Sequence, residues 1–396
     1  ARLLKHRAKF RALRLFALQR ALFLVEHIDK ITAQLFFTFH LSFKAPAPKL
    51  FTLKVHPRRS LAVLMLGGIP LPGVRLPPPV SRHTGADSGS TKTDWSLVDE
   101  QGNVVMTCKT QGISPVHMQD EEVLRVLKSE LILPEQPTEI YFYGSGVTEA
   151  MKPRMKSLLQ QAFPGAKVDA ESDMLGAARA LFGKKPGIAC ILGTGANSCL
   201  YDGEHIVMNT PPLGYILGDE GSGAVLGKLF LNGILKGALP TSLKNKYLAW
   251  AGLDYPAIIN KVYREPLANR FLASICPFIS QQISEGEKYE NGTDELNEAM
   301  ELYRIVLGNF NNFYQNNLVP YLKYVKASLE DISQLEPGVK AWDSSLGENM
   351  PTLGFVGSIA HYFESPLRNV MEDEHHLKIT KILKAPMQGL IQYHLS

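Results

Sequence analysis

Two short turns rich in glycine and hydroxyl residues constrain this chain more than any other feature. The first spans 87–94 (DSGSTKTD) and the second 193–198 (GTGANS), about one domain length further on. After the first, 95–98 reads as a strand, 99–103 (DEQGN) as a tight turn and 104–108 as the returning strand. Before the second, 188–192 is a buried strand; after it, 199–201 extends, Asp202 and Gly203 turn, and 205–208 comes back. Gly89 and Gly195 occupy equivalent places, where a residue free of a side chain lets backbone N–H groups approach an anion. A layout used twice predicts two similar lobes facing each other across a cleft.

The rest of the pattern is α/β. Residues 120–131 form an amphipathic helix with Val123, Leu124, Leu127 and Leu131 on one face. A strand over 139–143 ends in Gly144, Ser145 and Gly146; 151–163 is helical, 167–170 extended and 174–182 a short helix. Residues 240–340 are mostly helical, 353–356 is a late strand breaking at Gly357 and Ser358, and 377–383 is the last strand. The residues before Asp87, 80–86 (VSRHTGA), make a poor central strand, because buried parallel strands are usually continuous apolar runs.

The net charge of +4 conceals an uneven distribution. Residues 1–85 carry more than a third of the Lys and Arg but only Glu26 and Asp29 among the acids, so the remainder is net acidic. Prolines at 46, 48 and 57 and the stretch 69–79 (IPLPGVRLPPP) exclude regular helix or central strand there. Three origins stay open for this segment: an Arg-rich targeting leader, a basic arm for nucleic acid or membrane surfaces, or sequence foreign to the fold. It is assigned no catalytic role. Cys108, Cys190, Cys199 and Cys276 form no CxxC pair and have no His partner at metal-finger spacing, so they read as free thiols in a reducing compartment. No apolar run approaches the roughly 20 residues of a membrane helix.

Several residues carry chemistry. Thr91 and Thr93 add hydroxyl donors to the first turn and Lys92 a positive charge, while an acid opening such a turn calls for a cation between it and the anion. An ordinary Ser/Gly-rich hairpin would look similar. Asp173 precedes a helical run, which suits a helix N-cap, a general base, or both. The string 214–223 (GYILGDEGSG) sets Asp219 and Glu220 between glycines, as a helix-start cap or as carboxylates for ligand hydroxyls. No GxxxxGK[ST] or GxGxxG motif is present.

Taken together, 87–94, 193–197 and 354–358 resemble the phosphate-1, phosphate-2 and adenosine motifs of the actin/hexokinase/Hsp70 ATPase superfamily. With Asp173 and 218–222 (GDEGS), the chain is similar to the N-acetylglucosamine kinases and the BadF/BadG-type ATPases, from Asp87 to about His394. The resemblance implies an α/β fold of two actin-like, ribonuclease H-like lobes with an ATP and sugar cleft between them. It divides the chain into a basic Pro-rich segment 1–85 outside the enzyme fold, an N-terminal lobe 86–186 to which 375–396 returns, and a C-terminal lobe 187–374 with a helical insertion.

The implied activity is phosphorylation of the 6-hydroxyl of N-acetylglucosamine or a related amino sugar, with ATP and Mg²⁺. Asp173 is then the base and Asp87 holds Mg²⁺ directly or through water. Ser88, Gly89, Ser90, Thr91, Lys92 and Thr93 line the ATP phosphates with Gly193, Thr194 and Gly195. Gly354, Gly357 and Ser358 lie under the adenosine. Ser114, Ser145, Gly146, Thr194, Asn197, Gly214, Asp219 and Gly223 surround the sugar. The expected partner is a small-molecule amino sugar in the cytoplasm, with no nucleic acid for 87–396 and no membrane; a homodimer is left open. Two alternatives are a sugar- and ATP-binding protein of weak or no activity and a BadF-type ATPase acting on a non-sugar partner, although the cluster-binding cysteines of dehydratase activators are missing. A nucleic-acid protein rests on the basic segment alone.

Overall fold

Strand pairing shows a fold used twice. In a computed structural model that describes residues 83–88, 92–330 and 351–396, ten strands form two five-stranded sheets. The expectations for 1–82, for Gly89, Ser90 and Thr91, and for the helical stretch beyond 330 lie outside the described residues. The first sheet contains β1 (His83–Ser88), β2 (Lys92–Val98), β3 (Val104–Gln111), β4 (Glu139–Gly144) and β5 (Lys167–Ser172), in the order β3-β2-β1-β4-β5. The second contains β6 (Gly187–Leu192), β7 (Ala196–Tyr201), β8 (Ile206–Met208), β9 (Leu353–Val356) and β10 (Ile379–Leu383), in the order β10-β9-β6-β7-β8. Each sheet begins with an antiparallel three-strand meander and then adds two parallel strands beside its first strand. The mixed α/β architecture expected from the paired turns is therefore present.

The sequence undervalues β1. It is the central strand of its sheet, paired antiparallel to β2 and parallel to β4, although its residues are His, Thr, Gly, Ala, Asp and Ser. Thr84, Ala86 and Ser88 point to one face and are completely buried. Backbone pairing on both edges holds such a strand without large side chains, since each N–H and C=O finds a partner. The small residues also have a use. A Cβ on Gly85 would sit 3.4 Å from Sδ of Met387, so the strand is thin enough for a helix to lie across it.

Two helices join the sheets. Helix α1 (Asp173–Phe182) starts where β5 ends, and its sequence suits a helix: three alanines, a leucine pair and no β-branched residue. Ser172 caps it by accepting the Leu175 N–H at 3.2 Å, so Asp173 stands at the first helical position, one residue past the expected cap. Met174, Leu175, Ala177, Ala178 and Leu181 bury their faces against Ala189, Cys199, Tyr201 and Val356 of the second sheet. Burying each large side chain contributes about 1.5–3 kcal/mol, enough to fix the helix on that sheet.

Further along, α2 (Gly223–Lys236), the long α3 (Asp294–Phe313) and its continuation α4 (Val319–Glu330) enclose the large core of the second lobe. After β10 joins the second sheet, α5 (Met387–Leu395) returns to pack on α1, β1 and β2. The return is stitched by polar groups: Arg179 of α1 donates to the Tyr143 hydroxyl at 3.0 Å, and that hydroxyl also meets His394 of α5 at 2.9 Å.

The crossing of α5 over α1 is close. A Cβ on Gly389 would lie 2.3 Å from the backbone oxygen of Ala180, a group that cannot swing aside. Gly389→Ala is expected to cost about 1–3 kcal/mol as overpacking, read as a lower denaturant midpoint with unchanged slope. A midpoint equal to that of the parent protein would contradict the close approach.

Candidate active site at the carboxyl ends of the sheets

The parallel strands of the first sheet end in line. Ser88 pairs with Gly144, and Gly144 with Ser172, so Asp87, Ser145 and Asp173 fall along one edge of the sheet. Adjacent strands lie about 4.8 Å apart, which puts the β1 and β5 ends on the order of 10 Å from each other. In open α/β sheets this carboxyl edge is where ligands bind. The Ser145 N–H donates to the Ser88 carbonyl at 2.9 Å, fixing the loop that follows β4 against the first turn. Gly146 has φ +81°, and a Cβ there would meet the Ser114 hydroxyl at 2.7 Å. Ser114, remote in sequence, thus comes together with Ser145 and Gly146.

The first turn is built differently from the sequence expectation. The hydroxyls of Ser88 and Thr93 lie 2.8 Å apart, both residues are completely buried, and both side chains face inward. Ser88 Oγ donates to the Ile113 carbonyl at 2.8 Å, the Ile113 N–H donates back to Ser88 Oγ at 3.0 Å, and Thr93 Oγ1 donates to the Gln111 carbonyl at 3.2 Å. These side chains buttress the turn rather than line it. Lys92 is also diverted: it projects into solvent and pairs with Asp94 at 2.5 Å.

Two desolvated carboxylates flank this edge. Burial raises Asp173 to about 6, against the pull of N–H groups at the start of α1. Asp87 is raised to about 7, first by burial, then by repulsion from Asp173 and Asp94, with Lys92 giving partial relief. Asp94, which the sequence leaves without a role, therefore belongs to the electrostatics of the site; its register position opposite Asp87 places it there.

A second cluster is built on the turn between β6 and β7. The N–H groups of Gly223 and Ala224, at the start of α2, donate to the carbonyls of Gly193 and Thr194 at 2.9 and 3.1 Å. Gly357 has φ +127°, and a Cβ there would lie 2.2 Å from the Leu192 carbonyl. Only glycine lets the end of β9 press on this turn. Asp219 adopts φ +55°, and the Ala196 N–H donates to its carboxylate; a Cβ on Gly195 would stand 2.9 Å from Oδ2. Burial, opposed by that N–H, brings Asp219 to about 6. Asn197 Oδ1 accepts from Asn209 Nδ2 at 2.9 Å, and Ser358 is exposed at the first position of a short helix.

Some expected ligand residues also have packing duties. A Cβ on Gly354 would strike Phe182 at 2.9 Å, so that glycine lets α1 lie on β9. Gly223 is buried against Ile359, Ala273 and Cys276, where it closes the turn through its N–H alone. Gly214 is exposed, with φ +74° and open space beside it.

The paired sheets, with glycine turns at matching strand ends, define the class: a two-lobed actin-like α/β protein. A candidate N-acetylglucosamine kinase from Porphyromonas gingivalis is 38% identical over 79% of this chain and 98% of its own, with a TM-score of 0.66. A second candidate N-acetylglucosamine kinase, from Chromobacterium violaceum, shares the fold at 17% identity and a TM-score of 0.53, covering 81% of this chain and all of its own. Neither a family model nor a curated protein sequence matches the chain. The chain belongs to the N-acetylglucosamine kinase-like family of the actin-like ATPase superfamily.

The carboxylates predict a stability signature. Because folding raises Asp173 above its ordinary 3.8 to about 6, the ionised group costs stability. That cost is complete above about pH 6 and fades as pH falls toward 3.8. The ligand-free Asp173→Asn protein should melt above the parent at pH 8, with the gain shrinking toward pH 4. A gain that grows on acidification would mean that partners stabilise the carboxylate.

Proposed function

We propose that this protein is an ATP-dependent sugar kinase that phosphorylates the 6-hydroxyl of N-acetylglucosamine or a related amino sugar. The observation that carries the reading is the alignment of Asp173 with the Asp87 turn and Ser145 along one carboxyl edge. Family membership supports it. In this reading, 86–186 and the C-terminal helix form one lobe and 187–374 the other. ATP lies in the cleft between them, its phosphates between the turns at 87–94 and 193–198.

Asp173 orients the sugar 6-hydroxyl toward the γ-phosphorus. As the new O–P bond forms and the β,γ-bridging bond breaks, Asp173 takes the hydroxyl proton, and ADP leaves with the bridging oxygen. Transfer of a phosphoryl group is loose, so aiming the nucleophile matters more than early proton removal. Backbone N–H groups of the two turns are the donors for phosphate oxygens, because Ser88 and Thr93 have spent their hydroxyls inside the protein; in the second turn these are the N–H groups of Thr194 and Gly195, since that of Gly193 donates to the Gly195 carbonyl at 2.9 Å. Asp219, beside Gly195, and the Ser114, Ser145 and Gly146 group are the partners for sugar hydroxyls.

The donor set at Asp87 fits Mg²⁺. It is an oxygen ligand pressed toward neutrality by burial and like charge, and among the described residues no group of three or more acidic, His or Cys side chains forms a protein cage. Mg²⁺ usually binds through one or two carboxylates and substrate phosphates rather than through such a cage. Bound there, it would screen the phosphate charge and keep Asp87 ionised.

ADP release should be stimulated by at least one of N-acetylglucosamine, glucosamine, glucose and N-acetylmannosamine, with kcat/KM falling as pH drops through about 6, where Asp173 gains its proton. Asp173→Asn should lower kcat by about 10²–10⁴-fold while both KM values stay near those of the parent. No stimulation by any of the four sugars would end the kinase reading; near-normal kcat in the variant would end the assignment of the base.

A further inference from the structure

The loop that presents Asp219 has an unusual backbone and a remote anchor. Asp219 and Gly221 both have positive φ, +55° and +80°, so 218–222 is neither helix nor strand. Its local hydrogen bonds are few: the Gly218 N–H donates to the Gly214 carbonyl at 2.7 Å, the Asp219 N–H to the Pro212 carbonyl at 3.0 Å, and the Ser222 N–H to the Asp219 carbonyl at 3.0 Å. Two backbone groups at its C-terminal side are met from α3, the Gly221 N–H and the Ser222 carbonyl, the latter also accepting from the Leu226 N–H at 3.0 Å. The Gly221 N–H donates to Asn309 Oδ1 at 2.9 Å, and Asn309 Nδ2 donates to the Ser222 carbonyl at 3.2 Å.

Asn309 is completely buried, with Val306, Phe310 and Phe313 as the nearest buried residues of its own helix. An amide among such neighbours is unfavourable unless its donor and acceptor are both used. Here both are used on adjacent residues of one loop, as a strand partner would use them. The fit is tight, since a Cβ on Gly221 would lie 3.0 Å from Cβ of Phe313 and 3.1 Å from Leu192 of β6.

The same helical run grips neighbouring segments. Between α3 and α4 lies a wide turn, Tyr314–Leu318, of the kind that interrupts helices at functional sites. Asn316 within it donates to Glu220 at 2.8 Å, and the Asn317 carbonyl accepts from Thr210 at 3.2 Å. The Thr210 N–H donates to the Tyr321 hydroxyl at 2.7 Å. The run from Asn309 to Tyr321 is thus a platform under the segments around Asp219.

We infer that Asn309 is a positioning residue for Asp219, clamping 218–222 so that the Asp219 carboxylate stays on the Ala196 N–H beside Gly195 and sets the affinity for sugar. The inference rests on the proposed sugar kinase reading for its functional half and on backbone geometry for its structural half. Asn309 acts through Asp219 and touches no reacting atom.

The test uses the full chain with Asn309→Ala, Asp219→Ala and the double variant, and Asn309→Ser as a milder change should the alanine variant fold poorly. In the ligand-free protein, Asn309→Ala should speed amide hydrogen exchange in 218–222 about tenfold or more, with the rest of α3 unaffected. With N-acetylglucosamine, the sugar KM should rise about tenfold to a hundredfold while the ATP KM moves less than about twofold, the magnitude expected when a buried polar pair is broken. The double variant should be no worse than Asp219→Ala, because the two residues act in series. Unchanged exchange in 218–222, or a rise spread equally over α3, overturns the clamp whether or not any sugar is phosphorylated. Additive KM effects overturn the link to Asp219. Absence of sugar-stimulated ADP release in the parent removes the kinase reading and leaves exchange to decide the clamp.

Discussion

Asp173 is the first residue of a helix whose N-terminus is set by one sheet and whose apolar face is set by the other. Ser172 ends β5 in register with Gly144 and Ser88, so the helix must begin at the carboxyl edge of the first sheet. Met174, Leu175 and Leu181 then bury themselves on β6, β7 and β9. The position of the carboxylate is therefore fixed by packing in two cores at once. Tyr143 lies under Gly176, and α5 crosses at Gly389, so the absence of side chains brings three elements within reach of one another.

That placement is electrostatically unfavourable in the free protein. Asp87, Asp173 and Asp219 all sit where burial favours their neutral forms, and the first two repel each other. Cores do not tolerate such groups for stability. Sites that handle cations and transferred protons keep them, at a cost in folding free energy. The turn of the second sheet, by contrast, is held by backbone contacts, because α2 and β9 close on it through Gly223 and Gly357.

Much of this was legible in the sequence, for reasons that separate local from remote signals. The turns at 87–94 and 193–198 mark themselves by composition, and their repetition anticipated two sheets of equal connectivity. β1 was undervalued because apolarity measures side-chain burial, whereas this strand is held by its backbone and must stay thin under α5. The inward hydroxyls of Ser88 and Thr93 depend on Ile113, some twenty residues away, and no local pattern announces that partner. Gly354 and Gly223 sit inside functional-looking strings and also serve helix packing, a duty that glycine spacing alone does not announce. Asn309 had a faint signal, a polar residue beside Val306, Phe310 and Phe313 in a helical run, whose meaning appears only when the loop at 218–222 lies against it.

Among the described residues the chain passes between the two sheets twice, outward through α1 and back between β10 and α5. Two bodies joined at two places behave like a door on two pins: the soft rotation is the one about the line through the pins, and other motions strain the joints. Asp173 stands at one of those joints, whereas the turn at 193–198 lies beyond it on the second sheet. When such a pair of bodies rocks, points near the axis barely shift while distant ones sweep an arc. The carboxylate would then serve as the stationary reference, and the glycine turn of the second sheet would be the part carried toward it.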